Sequence, residues 1–455
     1  MKSSSFYNHI YIFYGSVFII HLINFFLERS FLHIVLSICA IVMFLFAFVR
    51  ATPIFKTLGI AFVLIGITLY STTKTPIIEI IFILKNNFPL LTLFMMLPWM
   101  NSVVRSGRYD YLLSKMMKMN TKDLGTMYNR SSISTFSLAT FLNLPAITIS
   151  QSIIKTNLKS LPKRLRNQFI NMASVRSYTM ALLWSPLEIL VAVGVFVTGV
   201  KYIHVLPWLL MIVTIVFLID NLIGRLKFKK HSYDEVGSRQ SFSRHDIKKT
   251  IGLLSALILF LTIIVLAGNI EQLDFIMTIT LLIVPFTFLW AIAIKRLHRF
   301  TVVGWHAWKN STNAMHNFIV LFVSLALFSS AITASDASTY IHEFILKFSE
   351  TPLLLMFMIQ LFILMMSLFG VHSIASIGIL TGLIGPLMEI IDPISLAIIL
   401  ITSSVSTFAV STYGLLITIT SFHTEQNPYR ITFDNIIFTL FFGSLGTLLA
   451  YLLMM

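Results

Sequence analysis

Charge is what this sequence has least of. Only 11% of its 455 residues are Asp, Glu, Lys or Arg, whereas 57% are hydrophobic and the mean hydropathy is +0.87. A soluble domain carries far more charge on its surface, so lipid is the solvent for most of this chain. Cysteine is nearly absent as well. Cys39 stands alone inside an apolar run, which excludes an internal disulfide framework and a cysteine-rich metal site, and it reads as packing. No GxxxxGK[ST] loop, HExxH, CxxC or GxSxG elbow occurs, so the common phosphate-binding, metalloprotease and hydrolase signatures are missing.

What the sequence has in abundance is apolar runs. A spanning helix needs roughly 20 apolar residues, and such runs place eleven spans near 10–27, 31–49, 56–73, 88–104, 168–200, 205–224, 250–268, 273–294, 314–334, 393–420 and 431–454. No small-residue cleavage site follows the first run, which ends in Phe25-Phe26-Leu27-Glu28-Arg29, so it reads as an uncleaved helix. The net charge of +15 lies in the links between runs, without a basic and aromatic surface for nucleic acid. With Lys2, the segments 50–56, 105–130, 155–166, 225–249 and 295–309 hold 26 of the 33 Lys and Arg. The positive-inside rule makes these segments and the N-terminus cytoplasmic, as expected in the plasma membrane of a prokaryote, and the C-terminus external.

Each span switches sides, which tests that assignment. The segments 105–130 and 155–166 share a side, so the apolar stretch 123–154 between them must enter the membrane and return as a re-entrant hairpin. The stretch 352–390 reads as a second hairpin. The connector before the first is basic; its counterpart, 335–350, carries Asp336, Glu343 and Glu350 against Lys347. Both read as amphipathic surface helices, through Tyr109, Leu112, Leu113 and Met116 in one and Tyr340, Phe344, Ile345 and Phe348 in the other. Equivalent elements on opposite faces predict an inverted repeat.

Residues also match at an offset of 229 to 231: Asn87-Phe88 with Asn317-Phe318, Tyr109 with Tyr340, Asn143 with His372, Ser174-Val175 with Ser404-Val405, and Trp184-Ser185 with Tyr413-Gly414. The fold expected is therefore an all-α polytopic membrane protein with eleven spans and two hairpins. A lone helix (1–30) precedes a first repeat (31–228, with hairpin 123–154 and broken helix 168–200). A basic loop (229–249) then leads to the second repeat (250–455, with hairpin 352–390 and broken helix 393–420).

Non-helical backbone at membrane depth is tolerated only around a site or cavity. Four such places occur. The first hairpin turns at Asn143 to Pro145, with Thr148 one turn on; the second at Gly370 to Ser376, offering His372, Ser373 and Ser376. The run 168–200 breaks at Trp184-Ser185-Pro186, with Glu188 just beyond, and the matching run at Ser411-Thr412-Tyr413-Gly414, where the glycine suggests a flexible hinge. The four breaks are expected to converge near the midplane. Half-helix amino ends suit an anion and freed carbonyls suit a cation such as sodium. Arg176 reads equally as an anion ligand or a snorkelling side chain, and Glu188 as a proton or cation carboxylate. Asn143 can instead cap a half-helix, His372 can bond a carbonyl, and each hydroxyl can bond its own helix.

A lone span, then two units of three spans, connector, hairpin, broken helix and final span, resembles the ion transporter superfamily, best known from divalent anion/sodium symporters and from arsenite and sodium-proton antiporters. Those symporters typically carry Ser-Asn-Thr at both hairpin tips. Here Leu142-Asn143-Leu144 keeps the asparagine and Val371-His372-Ser373 replaces it with histidine. The resemblance implies ion-coupled transport of a small anionic, carboxylate-type solute by elevator-like movement, a sodium site near Asn143, the second site around His372-Ser373, no bound cofactor and a homodimer. The histidine leaves a proton open as the coupling ion. An intramembrane enzyme, a lipid-handling protein and a non-transporting assembly component are the alternatives.

Overall fold

The computed structural model describes residues 8–109, 115, 123–231, 243–267 and 273–455, and its regular structure is helical. The first helices are α1 (Ile10–Leu27), α2 (Ser30–Arg50), α3 (Pro53–Ser71), a short α4 (Ile77–Ile83) and α5 (Phe88–Ser106). Helices α6 (Leu124–Leu142) and α7 (Leu144–Asn157) make a hairpin. A rod of α8 (Lys163–Ile170), a π-helical turn (Asn171–Arg176) and α9 (Ser177–Leu182) stops before α10 (Ile189–Thr198). There follow α11 (Tyr202–Phe228), α12 (Arg244–Ala267), α13 (Phe275–Ala293), α14 (Leu297–Asn313), α15 (His316–Ala334) and α16 (Ala337–Leu346). Then come α17 (Pro352–Leu368), α18 (Ser373–Thr381), α19 (Ile384–Met388), α20 (Pro393–Ser406), α21 (Leu415–Thr424) and α22 (Pro428–Met454).

Among the described residues eight segments are long and apolar enough to cross a bilayer, with shorter apolar helices between them. The chain is an integral membrane protein. Local chemistry sets several boundaries: Asp392 and Asn427 cap the first amides of α20 and α22, each followed by a proline that needs no donor there. Burial separates two kinds of helix. Helices α1 to α3 bury one face and leave Ile12, Ile19, Leu45 and Leu64 exposed, as lipid-facing helices do. Helix α9 and residues Ser395 to Ser406 of α20 are buried throughout, so the interrupted rods form the centre.

The packing around that centre is paired. Helix α6 lies along α9 and α11, as α17 lies along α20 and α22. The returning arm α7 packs on α21, and the returning arm α18 packs on α10. Each hairpin thus closes on the far half of the other interrupted rod.

One sequence expectation changes. The segment 295–309, read as a loop, is largely the helix α14, whose Phe300 and Trp308 pack inward while Trp305 faces out. Residues 76–86 contain α4, with Ile80 and Ile83 against Tyr70 and Leu327. Of the basic connector, Leu112, Leu113 and Met116 lie outside the described residues, as does 232–242 of the basic loop.

A polar clasp joins the end of α7 and the helix α8 to the end of α21. Lys155 Nζ donates to the His423 carbonyl (2.8 Å) and to Glu425 (3.4 Å), Lys163 Nζ to Glu425 (2.9 Å), and Asn167 Nδ2 to the Thr424 carbonyl (3.0 Å). Hydrogen bonding and charge from Lys163, then Lys155, hold the Glu425 carboxyl below its ordinary 4.5. A carboxyl lowered on folding contributes above its unfolded pKa and is lost only as pH falls through the folded value. The clasp should therefore ignore pH between about 6 and 8 and yield to salt, because exposed ion pairs are screened. Amide exchange of Thr424 to Gln426, corrected for intrinsic rates, should quicken in about 1 M salt, where the Debye length is about 3 Å.

Candidate functional site at the hairpin tips and helix breaks

The first hairpin turns on a single residue. Pro145 interrupts any continuous helix, and Asn143 takes φ 52° and ψ −134°, a region that favours glycine. Its amide donates to the Ala139 carbonyl (3.1 Å) and its carbonyl accepts from Ala146 (2.9 Å). The Tyr178 hydroxyl of α9 donates a short hydrogen bond to Asn143 Oδ1, while Asn143 Nδ2 donates to Glu188 Oε2 at 3.4 Å. Tip and break are therefore one site.

Glu188 opens α10 and is 4% exposed. The asparagine amide is its one side-chain partner among the described residues. The break before it is a tight turn: Glu188 donates its amide to the Ser185 carbonyl (3.0 Å), Leu187 its amide to Ser185 Oγ (3.3 Å), and Tyr202 its hydroxyl to the Trp184 carbonyl (2.5 Å). Asn143 Oδ1 accepts from Tyr178 and keeps a second lone pair, and the Glu188 carboxylate stands beside it. That donor set can hold a proton or a cation. Tyr178 has no counterpart in the sequence reading; only its place, ten residues before Glu188, points to it.

Asn143→Gly separates backbone from side chain. Both variants lose the amide's bonds to Tyr178 and Glu188, but glycine suits the torsion, so Asn143→Ala carries about 1–3 kcal/mol more backbone strain than Asn143→Gly. Thermal unfolding in detergent should rank Gly above Ala.

The second tip is built differently. Gly370 has φ 87°, and a side chain there would meet the Tyr413 ring, a Cβ falling 2.9 Å from it. His372 caps α18, its Nδ1 accepting from the Ile374 amide (3.3 Å). Ser373 Oγ lies 2.8 Å from Thr407 Oγ1 in the second break, and Ser376 Oγ is buried without a partner among the described residues. Thr412 Oγ1 pairs with Thr432 of α22 at 2.9 Å. Gly414 is not a positive-φ hinge: its φ is −75°, and what needs glycine is the closeness of Ser411 Oγ, 2.8 Å from where a Cβ would sit. Ser411 shapes that turn.

The four breaks are arranged in two bonded pairs, with each returning arm packed on the far half of the other rod. Tip one joins break one and tip two joins break two; among the described residues no hydrogen bond or ring contact links the two clusters. The rods bearing them cross where Gly194 of α10 faces Ile401 of α20.

Beside the first tip lies a cavity of about 500 Å³ bounded by Leu142, Leu144, Pro145, Thr148, Ile419 and Arg105. Arg105 comes from the last turn of α5 and has no ion pair or side-chain hydrogen bond among the described residues. It is an exposed positive group at the rim of an apolar crevice, and in the sequence it belongs to the basic residues of the connector.

Arg176 does not snorkel. It donates to Asp220 (3.0 Å), Asn435 Oδ1 (2.9 Å) and the Asp434 carbonyl (3.1 Å), and stacks on Phe438. Tyr128 donates to the other Asp220 oxygen (2.6 Å). All of its polar groups are engaged by protein, so it is a tie between α6, the rod, α11 and α22.

Solved structures share this architecture. The YdaH transporter of Alcanivorax borkumensis, described as having an unusual topology, superposes with a TM-score of 0.62 at 12% identity, covering 87% of this chain and 96% of its own. MtrF of Neisseria gonorrhoeae, described with a class of antimetabolite efflux pumps, gives 0.55 at 13% identity, covering 81% of each chain. No protein-family model and no curated protein matches the sequence. The likeness is one of fold.

Proposed function

We propose that this chain is an ion-coupled secondary transporter of a small organic anion, in which both hairpins and interrupted rods move together against a scaffold of the lipid-facing helices. The observation that carries the reading is a buried carboxyl, Glu188, held by the tip of a helical hairpin at the break of a central rod. An intramembrane acid with no cation beside it marks an ion pathway by default. The fold shared with two transporters supports the class.

On this reading the eight continuous spans, α12 and the two interrupted rods give eleven crossings, with the N-terminus cytoplasmic and the C-terminus outside. The paired packing of α7 on α21 and α18 on α10 supports a reading as two inverted repeats. The proton is the coupling ion carried by Glu188. Arg105 receives the solute's negative group, while Leu142, Leu144 and Ile419 line its apolar side.

Uptake by proteoliposomes across a panel of carboxylates, with sodium and pH gradients imposed separately, tests this. A proton gradient should drive at least one of them; no driven flux of any member would return weight to an enzyme or lipid-handling role. For a driven solute, Arg105→Ala should raise KM about tenfold or more, since a charged hydrogen bond is worth about 1.5–3 kcal/mol. The inverted topology is tested by cysteines at 143 and 372 in a Cys39→Ala background, which aqueous thiol reagents should reach from opposite sides.

A further inference from the structure

A second polar cavity, of about 390 Å³, lies where α1 ends, α2 begins and the chain enters α5. It is bounded by His21, Asn24, Glu28, Ser30, His33 and Lys85, none of which takes part in the hairpin sites. Its charges are unspent. Neither Lys85 nor Glu28 has a side-chain hydrogen bond or ion pair among the described residues, and His21 Nε2 is buried without a partner. Lys85 and His33 both lie within electrostatic range of His21.

The cavity therefore collects donors and positive charge around Lys85, with one carboxylate, Glu28, at its exposed rim. Three His, Cys, Asp or Glu groups placed for a metal ion are not found among the described residues. Unpaired polar groups of both signs at the edge of a membrane call for a ligand that carries both. The adjoining surface is apolar and outward-facing: Ile23, Phe26, Phe31 and Ile34 are all exposed.

We propose that this cavity binds the phosphoethanolamine headgroup of a membrane phospholipid. The phosphodiester sits against Lys85 and the imidazoles, the primary ammonium reaches Glu28, and the acyl chains run over Phe26 and Phe31. Phosphate alone shares the first contact, a phosphatidylcholine the first and last; of these a phosphatidylethanolamine satisfies all three, because a trimethylated ammonium has no proton to donate to Glu28.

Native mass spectrometry of the detergent-purified chain, titrated in parallel with phosphatidylethanolamine, phosphatidylcholine and phosphatidylglycerol of the same acyl chains, tests it. Phosphatidylethanolamine should be retained about fivefold or more over the other two, and Lys85→Ala should weaken it about tenfold. Glu28→Gln should erase the preference over phosphatidylcholine while leaving both bound. Equal retention of the three lipids by wild type, or no change in Lys85→Ala with an unaltered thermal midpoint, would overturn the assignment. Protection of the Lys85 amine from acylation by inorganic phosphate but by none of the lipids would make this a free-anion site instead, and overturn it too.

Discussion

Glu188→Gln is expected to lose ion-driven accumulation of the solute by about 5- to 150-fold, the range of coupling energies of about 1–3 kcal/mol between two bound species, while solute exchange persists. Glutamine keeps the size of the side chain and a carbonyl oxygen for the Asn143 amide, so the contact between tip and break survives. What it removes is the ability to change charge. An ionised carboxyl at membrane depth needs a compensating cation, and no Lys, Arg or His pairs with Glu188 among the described residues. A cation that binds when the site opens to one side and leaves on the other supplies it. Counterflow, which needs no gradient, should run in Glu188→Gln at a rate near wild type. Accumulation driven by a proton gradient should not. If the variant still concentrated solute as steeply as wild type, Glu188 would be a structural cap of α10. If sodium alone drove wild type and not the variant, the carboxyl would serve as an ion ligand rather than a proton carrier.

How far the sequence reached depended on whether the deciding partner was near in the chain. Helix breaks are local events, and Pro145, Pro186 and Gly370 announced them because a proline or glycine leaves the backbone little choice. Partners are not local. Tyr178 bonds a residue 35 positions away, and Arg176 bonds Asp220 at 44 and Asn435 at 259. With those acceptors invisible, an arginine two turns into a span reads equally as an anion ligand or a snorkelling side chain. Composition misled at α14, where Arg299, His306 and Lys309 average a helix into an apparent loop. Phe300 and Gly304, buried at i and i+4, give its inward face. At Gly414 the glycine is required for closeness, with Ser411 Oγ 2.8 Å from where a Cβ would sit, and not for a left-handed torsion.

The largest stability effect should come from Asp220→Ala, at about 3–5 kcal/mol, the usual cost of breaking a buried ion pair from one side. The Arg176 side chain is 13% exposed and the Asp220 side chain 4%, so screening by water offers little relief. Losing the carboxylate leaves the guanidinium with Asn435 and the Asp434 carbonyl but no opposite charge there, and strands the Tyr128 hydroxyl beside Gly224, where the ring is packed too tightly to turn away. The energy of the pair itself is much smaller than this cost. Replacing both partners with apolar residues, Arg176→Met with Asp220→Leu, should therefore be milder than the sum of the single changes, short of full recovery because Asn435 Oδ1 then loses its donor. Unfolding in detergent, followed as a complete double-mutant cycle, measures the coupling directly; additive single effects would mean that the two groups act independently. Because the tie joins α6 and the first rod to α11 and α22, the same cycle run on transport asks a second question. Coupling in stability with none in transport would make the network a staple of the fold. Coupling in both would mean that the rod carrying Glu188 and the helix α22 behind the second break move as one body.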